Sequence, residues 1–407
     1  MKGWKIAIIA IGDLVAMYGG LGLLFWVVSG GLNTSMAASH ILPFSIIFLF
    51  WLGILFIFDQ YDPIKGRPRM YNIRRIGYSL AASLLVGVVI FYVGGFGITP
   101  KANLLLMFVF YSILFISWRR FVFGLLRKRF LEKVVFLDEN EHVEILKDVI
   151  TNNPQLGYKL ATGNEAPDIV ISQTPFAHGR KIISLPNAYE SLMAKIPVDI
   201  ADTTLPYQIE TKQDSIPSML VKRIFDIVFS LSVLIGTSWL WPFIIIGIKI
   251  DDKGPIFYTQ KRMGQNNTPF DFIKFRSMRT DAEKNGAVWA DKNDSRVTKF
   301  GNFLRKSHLD EIPQMINILR GDMSVIGPRP ERPEFVKELE EKIPLYKLRH
   351  VIKPGFTGWA QVKFRYARTV QESKEKFEYD LYYIKNRDIS LDFGILLKTI
   401  QIFVTHL

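Results

Sequence analysis

The chain has 407 residues, too many for one small core, and its length suggests two or three units. Hydrophobic residues make up 49%, there are 31 Phe, and mean hydropathy is +0.16, which argues against an ordinary globular protein and for a membrane one. Cysteine is absent, which excludes a disulfide framework and a thiol nucleophile, and the formal charge of +13 fits lipid headgroups, phosphorylated substrates or nucleic acid as partners. No aromatic-and-basic RNA-binding or DNA-reading motif occurs, so membrane lipids and phosphates lead and no nucleic-acid partner is expected.

Four apolar runs come first, near residues 4–28, 41–58, 77–98 and 104–126, each close to the roughly 20 residues that a helix needs to cross a bilayer. The first lacks a clear small-residue cleavage site, so four spans are expected rather than a leader and three. Lys65, Arg67, Arg69, Arg74 and Arg75 separate the second and third runs, and Arg119, Arg120, Arg127, Lys128, Arg129 and Lys133 close the fourth. The turn at 29–40 has no Lys or Arg and the other outer turn only Lys101, so the positive-inside rule puts both ends of this bundle in the cytoplasm. Asp13, inside the first run, reads either as a functional buried charge or as a residue near the interface.

Residues 133–200 change character. VVFLD, a helical stretch at 141–150, then YKLAT, DIVIS and KIISLP alternate as in a small α/β layer. A dinucleotide site would need a glycine-rich turn after the first strand. The chain has Leu137-Asp138-Glu139-Asn140 there, acid where phosphate would sit, so a Rossmann-like layer without a nucleotide is expected. Residues 201–217, polar with two prolines, read as a linker. The apolar stretch 222–253 is long enough to cross a membrane, yet basic residues flank both ends and Pro242 interrupts it. From the residues alone a plain span and a re-entrant helix broken near Trp241-Pro242 both remain open.

At 299–330 the chain reads KFGNFLRKSHLDEIPQMINILRGDMSVIGPRP. Asp310 and Glu311 precede Pro313 and an apolar run at helical spacing, which predicts an acidic pair in the first turn of a helix, where free N–H groups and the helix dipole favour negative charge. An ordinary N-terminal cap would look the same. Arg305 upstream and the stiff Gly-Pro-Arg-Pro turn presenting Arg329 point beyond a cap. The scattered acids Asp281, Glu283, Asp291 and Asp294, mixed with Lys284, Lys292 and Arg296, read as a solvated loop rather than a metal site. The helix expected at 395–404 has an apolar face for the membrane or the domain.

SHLDEIPQMINILRGDMSVIGPRP resembles the signature of the bacterial sugar transferases, monotopic phosphoglycosyl transferases that load a sugar 1-phosphate onto polyprenyl phosphate. GPIFYTQKRMGQNNTPFDFIKFRSM, KPGFTGWAQVKFR and KFEYDLYYIKN extend the likeness, in order, over roughly the last 190 residues. The resemblance implies a catalytic aspartate nucleophile at Asp310, with Lys274, Arg305, Arg329 and Arg365 as phosphate-binding cations and Glu311 on a magnesium ion. It also favours re-entry near Pro242, although Trp241 stands where small members carry Ser. Phe364 replaces the Gly of the QVxGR pattern, which makes Arg365 the weakest of these assignments. Arg276 reads equally as a headgroup contact, and no step requires His308.

The chemistry suits an aspartate. Exchanging one diphosphate for another through an acyl phosphate keeps much of the bond energy, and a carboxylate with a pKa of about 3.9 needs no general base. Its difficulty is repulsion from the diphosphate, which cations must offset.

The expected architecture is a membrane α-helical bundle (residues 1–130), an α/β Rossmann-like domain (131–205), a linker (206–220), a re-entrant membrane helix (221–253) and a mainly α catalytic domain (254–407). The expected activity is transfer of a sugar 1-phosphate from a UDP-sugar to undecaprenyl phosphate, through an aspartyl intermediate, at the start of exopolysaccharide, capsule or O-antigen synthesis. The expected place is the cytoplasmic face of a bacterial inner membrane, with Mg2+ as cofactor and a homodimer as the assembly. The alternatives are a non-catalytic scaffold of polysaccharide assembly or export, and a transporter.

Overall fold

The computed structural model describes residues 3–31, 34–62, 73–94, 100–129, 131–162, 165–173, 181–212, 214–280, 282, 295–364 and 369–406. The chain forms two compact units, 1–192 and 193–407.

The first unit opens with α1 (Gly3–Ser29), α2 (Thr34–Ile57), α3 (Ile73–Val93) and α4 (Pro100–Arg129). Each is long and apolar enough to cross a membrane; with Ile216–Asp251 of the second unit they make five such stretches among the described residues. Aromatic rings fill the bundle: Trp51 lies 4.9 Å from Tyr111 by ring centroids, and Tyr111 5.6 Å from Phe115. Side chains of Lys65, Arg67 and Arg69, which carry much of the orientation argument, lie outside the described residues.

Asp13 is buried and paired rather than interfacial. Arg119 of α4 donates Nε to Asp13 Oδ1 at 3.2 Å and Nη2 to Oδ2 at 2.6 Å, and its remaining nitrogen reaches the Gln60 carbonyl. Both side chains are at most 1% exposed, so each charge depends on the other. Arg119→Met is expected to destabilise the bundle by about 3–5 kcal/mol by stranding the carboxylate, and adding Asp13→Leu should recover most of that loss. Thermal denaturation in detergent checks both variants.

Beyond the bundle, β1 (Glu132–Phe136), β2 (Tyr158–Leu160), β3 (Ile169–Ser172) and β4 (Lys181–Ser184) form a parallel sheet in the order β2-β1-β3-β4. Helix α5 (Glu141–Asn152) follows β1 and buries Val143, Leu146 and Ile150; α6 (Leu185–Met193) follows β4. At the mouth of the sheet, Asn140 accepts the Val143 N–H at 3.0 Å and Asp138 accepts the Gln173 N–H at 2.6 Å. The turn after β1 thus spends its polar groups on a cap and a loop rather than offering N–H groups to a phosphate.

The second unit begins earlier than the linker expected at 206–220. Ile196, Val198, and Leu205 and Ile209 of α7 (Leu205–Glu210) are buried with Val336, Leu339, Phe377 and Leu381. Leu205 and Ile209 stand one helical turn apart, an apolar pair that outweighs the polar composition around it.

Helix α8 (Ile216–Thr237), a 3-10 turn at Ser238–Leu240 and α9 (Trp241–Asp251) follow. Pro242 sits in the first turn of α9, where its missing N–H costs no bond. The chain continues with the hairpin β5 (Phe257–Met263) and β6 (Pro269–Phe275), then α10 (Lys299–Lys306), α11 (Gln314–Arg320), β7 (Ser324–Ile326), α12 (Pro333–Lys342), β8 (Gly355–Thr357), α13 (Trp359–Lys363), α14 (Val370–Asn386) and α15 (Ile389–His406). Both halves of the broken stretch hold the same unit. Arg223 donates to the Ile318 and Leu319 carbonyls at 2.7 Å each, capping α11, and Asp226 accepts from Ser324 and Val325 at 3.0 and 2.9 Å. At the other end Asp251 accepts the Phe300 N–H at 2.7 Å, and Asp252 the Thr280 N–H at 3.1 Å. Helix α15 extends past the predicted 395–404; it buries Ile395 and leaves Ile389, Phe393 and Ile400 exposed.

Candidate active site

Asp310 and Glu311 lie on a 3-10 turn, Leu309–Glu311, rather than in the first turn of an α-helix. His308 before them has φ of 56°, the left-handed region, so α10 ends and the chain turns sharply at that residue. Regular helix resumes at Gln314 with Pro313 as its cap, and Gly321, φ 93°, closes α11. The paired acids therefore sit at a corner between two short helices.

Three of the expected cations reach this corner from three elements. Lys274 of β6 donates Nζ to Glu311 Oε1 at 2.8 Å. Arg329, from the loop after β7, forks onto the same carboxylate, with Nη2 2.6 Å from Oε1 and Nη1 3.4 Å from Oε2. Arg305, in the last turn of α10, donates Nε to Ser277 Oγ at 3.0 Å and acts on Asp310 through its charge. Arg365 lies outside the described residues, as do Asp281, Glu283, Asp291 and Asp294. Arg276 turns its guanidinium over Gly254.

The two carboxylates differ. Glu311 would be pushed up by burial, but Arg329 and Lys274 overcome that and hold it well below the usual range. Asp310 is 5% exposed and accepts no hydrogen bond among the described residues. Burial raises its pKa, the neighbouring Glu311 charge adds to the rise, and Lys274, Arg305 and Arg329 oppose it. Glu311 is thus the anchored counter-ion, and Asp310 the carboxylate with oxygens to spare.

The arginine loop is fixed through its backbone. Gly327 donates to the Thr357 carbonyl at 2.9 Å, and Gly355 to the Pro328 carbonyl at 2.8 Å. A Cβ at Gly355 would stand 2.0 Å from the Gly327 nitrogen, so only glycine lets these strand ends close. Arg349 donates Nη2 to the Arg329 carbonyl at 2.7 Å and Nε to Asp380 Oδ2 at 2.8 Å. Glu331, two residues past Arg329, takes Lys376 at 2.7 Å. Sequence reasoning assigned no role to Arg349, Asp380, Glu331 or Lys376; the quoted KFEYDLYYIKN contains two of them, and only the fold joins them to the loop.

This support has a pH signature. His350 is buried beside Arg349, and burial first, then that positive charge, hold its pKa down to about 3, against a pull from Glu331. An ordinary histidine titrates near 6.5, so the unfolded chain takes the proton first, and stability is lost as pH falls from 6.5 towards 3. Glu331 acts in the same direction lower down: burial would raise it, but Lys376, Arg349 and Arg262 hold it at about 2, so its contribution fades below about 4.5. Melting temperature measured from pH 7 to 4 should fall, each histidine proton contributing at most about 1.4 kcal/mol per pH unit. His350→Gln should flatten that slope.

Among the described residues no group of three His, Cys, Asp or Glu side chains could hold a metal ion. Both oxygens of Glu311 already face nitrogen donors, so it is not a ready metal ligand as folded. A magnesium ion fits this corner only as one held chiefly by a substrate's phosphates, with a single carboxylate from the pair.

A buried aspartate on which Lys274, Arg305 and Arg329 act, in a unit that carries an apolar stretch long enough to cross a membrane, is the arrangement of a membrane-associated protein. Residues 217–406 match the family model described as bacterial sugar transferase, and the chain belongs to that family. It is 42% identical over 185 residues to the UDP-N-acetylgalactosamine-undecaprenyl-phosphate N-acetylgalactosaminephosphotransferase of Aeromonas hydrophila, covering 46% of this chain and 44% of the relative. The UDP-glucose:undecaprenyl-phosphate glucose-1-phosphate transferase of Escherichia coli (strain K12) is 38% identical over 183 residues, 44% of this chain and 39% of the relative. The exopolysaccharide production protein PSS of Rhizobium leguminosarum bv. phaseoli is 38% identical over 188 residues, 45% of this chain but 94% of the relative. The chain thus spans under half the length of the first two relatives and nearly all of the third.

Proposed function

We propose that the protein transfers a sugar 1-phosphate from a UDP-sugar to undecaprenyl phosphate, giving undecaprenyl-diphosphate sugar and UMP, and that Asp310 carries the phosphosugar between the two. The observation that carries this reading is the Asp310 carboxylate, buried, unengaged by hydrogen bonds among the described residues, and beside Lys274, Arg305 and Arg329. The names of the relatives support the donor and acceptor classes.

In the first step an Asp310 oxygen attacks the phosphorus that bears the sugar. The bond to UMP breaks, its electron pair leaves with UMP, and an acyl phosphate remains. Arg329 and Lys274, held ready by Glu311, exchange that carboxylate for diphosphate oxygens as charge builds on the leaving group. An oxygen of undecaprenyl phosphate then attacks the same phosphorus and returns Asp310 to its carboxylate. Asp310 reacts as its carboxylate, the form that Lys274, Arg305 and Arg329 favour against the burial that raises its pKa, so neither step needs a proton abstracted. Mg2+ would add positive charge to the diphosphate, and chelation followed by magnesium restoration tests that requirement.

The stretch Ile216–Asp251 is proposed to enter the inner leaflet and return. A straight helix of 36 residues would be about 54 Å long, well beyond the roughly 30 Å hydrocarbon core, yet both its ends hydrogen-bond to one unit. With the basic residues between the second and third apolar runs of the sequence, this favours a catalytic unit on the cytoplasmic face of a bacterial inner membrane. The α/β layer is assigned as a Rossmann-like spacer without nucleotide and as a surface for homodimerisation, and glycan initiation as the pathway role.

The test is transfer of label from a panel of nucleotide sugars to undecaprenyl phosphate in membranes carrying the protein. Lipid-linked label from one UDP-sugar, with UMP released, is the expected result. A protein that transfers no sugar while polysaccharide synthesis still depends on its presence would instead be a scaffold.

A further inference from the structure

Gln314 is fully buried, at 0% exposure, and among the described residues neither its amide nitrogen nor its amide oxygen has a partner. A buried polar atom left unmatched is destabilising, so a buried amide of this kind calls for an explanation. Its place supplies one. Asp310, Gln314 and Asn317 follow at i, i+4 and i+7 and are all buried, forming a polar stripe on one face of the turn and α11. Asn317 spends its amide fully on β6 and the helix end: its oxygen accepts the Ile273 N–H at 3.1 Å, and its nitrogen donates to the Asp271 carbonyl at 2.7 Å and to Asp322 at 3.2 Å. That fixes the stripe against the strand bearing Lys274. Gln314 opens α11, four positions after Asp310, and helix side chains in general lean towards the N-terminus, the side on which Asp310 lies in the chain. A buried amide without a partner among the described residues therefore stands four positions from a mostly buried carboxylate that accepts no hydrogen bond among them.

We propose that Gln314 is a positioning residue for Asp310, donating its amide N–H through one bridging water to the carboxylate oxygen that does not attack. The bond fixes the carboxylate rotamer so that the other oxygen faces the diphosphate. It survives the first step, because the acyl phosphate keeps a carbonyl oxygen in the same place. This rests on the aspartyl intermediate proposed above.

The test uses the full-length protein in detergent or nanodiscs with Gln314→Met, which keeps volume and removes both polar atoms, beside Gln314→Ala. A radiolabelled UDP-sugar without lipid acceptor reports the first step through label retained on the protein, and melting temperature reports the fold. Wild type that takes up no label would refute the aspartyl reading itself. Given labelling by wild type, Gln314→Met is expected to label roughly 10–100-fold more slowly, with KM and melting temperature close to wild type. In the Asp310→Asn background, Gln314→Met should leave UDP-sugar affinity unchanged. Unaltered labelling by Gln314→Met would overturn the proposal. A lower melting temperature at unaltered rate would also overturn it, leaving Gln314 as a packing residue of the fold, and weaker binding in the Asp310→Asn background would make Gln314 a substrate contact instead.

Discussion

Asp310→Asn is expected to lower sugar-phosphate transfer by at least about 10^4-fold while leaving the fold and UDP-sugar binding in place. The amide nearly matches the carboxylate in size but cannot form an acyl phosphate. Because Asp310 accepts no hydrogen bond among the described residues, the substitution breaks no bond of the native fold. It also removes one buried carboxylate from beside Glu311, which eases repulsion, so the melting temperature should hold or rise. UMP release per minute beside a thermal melt separates these effects. A non-catalytic scaffold predicts instead that glycan synthesis in cells survives the change.

The second large effect falls on Arg329. Arg329→Lys keeps a positive charge but loses the fork that meets both oxygens of Glu311, and a single point charge cannot span two oxygens of a diphosphate in the same way. A kcat loss of about 10–100-fold is expected for Lys, and roughly 10^3-fold for Met, which removes the charge from the transition state altogether. Stability should suffer less with Lys than with Met, because Met leaves the mostly buried Glu311 with Lys274 alone. Kinetics of UMP release with varied UDP-sugar would distinguish the two cases: a change confined to KM would mean that Arg329 only binds the ground state.

Much of this was legible in one dimension, because it depends on local pattern. The four apolar runs, the strands after residue 131 and the acidic pair before Pro313 all announce themselves by composition or short spacing, and the described α1–α4 and β1–β4 agree. The failures share a physical cause. The 3-10 turn at Asp310 depends on His308 adopting a left-handed conformation, which no helical pattern encodes. Helix α7 lies in a stretch whose prolines and polar residues read as a linker, and only packing against α12 and α14 gives Leu205 and Ile209 a reason to fold. Arg349 and Asp380 are 31 positions apart, and Asp13 and Arg119 are 106 apart, so neither pair leaves a mark in local spacing. The cations of the site were readable one by one from motifs. That Lys274 and Arg329 share one carboxylate, freeing Asp310, required the fold.

The most direct measurement is the mass of the intact protein after brief incubation with its UDP-sugar and no lipid acceptor. A mass increase equal to one phosphosugar, mapped to the peptide containing Asp310, lost on adding undecaprenyl phosphate and never seen in Asp310→Asn, is the predicted result. Full transfer activity with no such adduct, or an adduct that persists in Asp310→Asn, would contradict it.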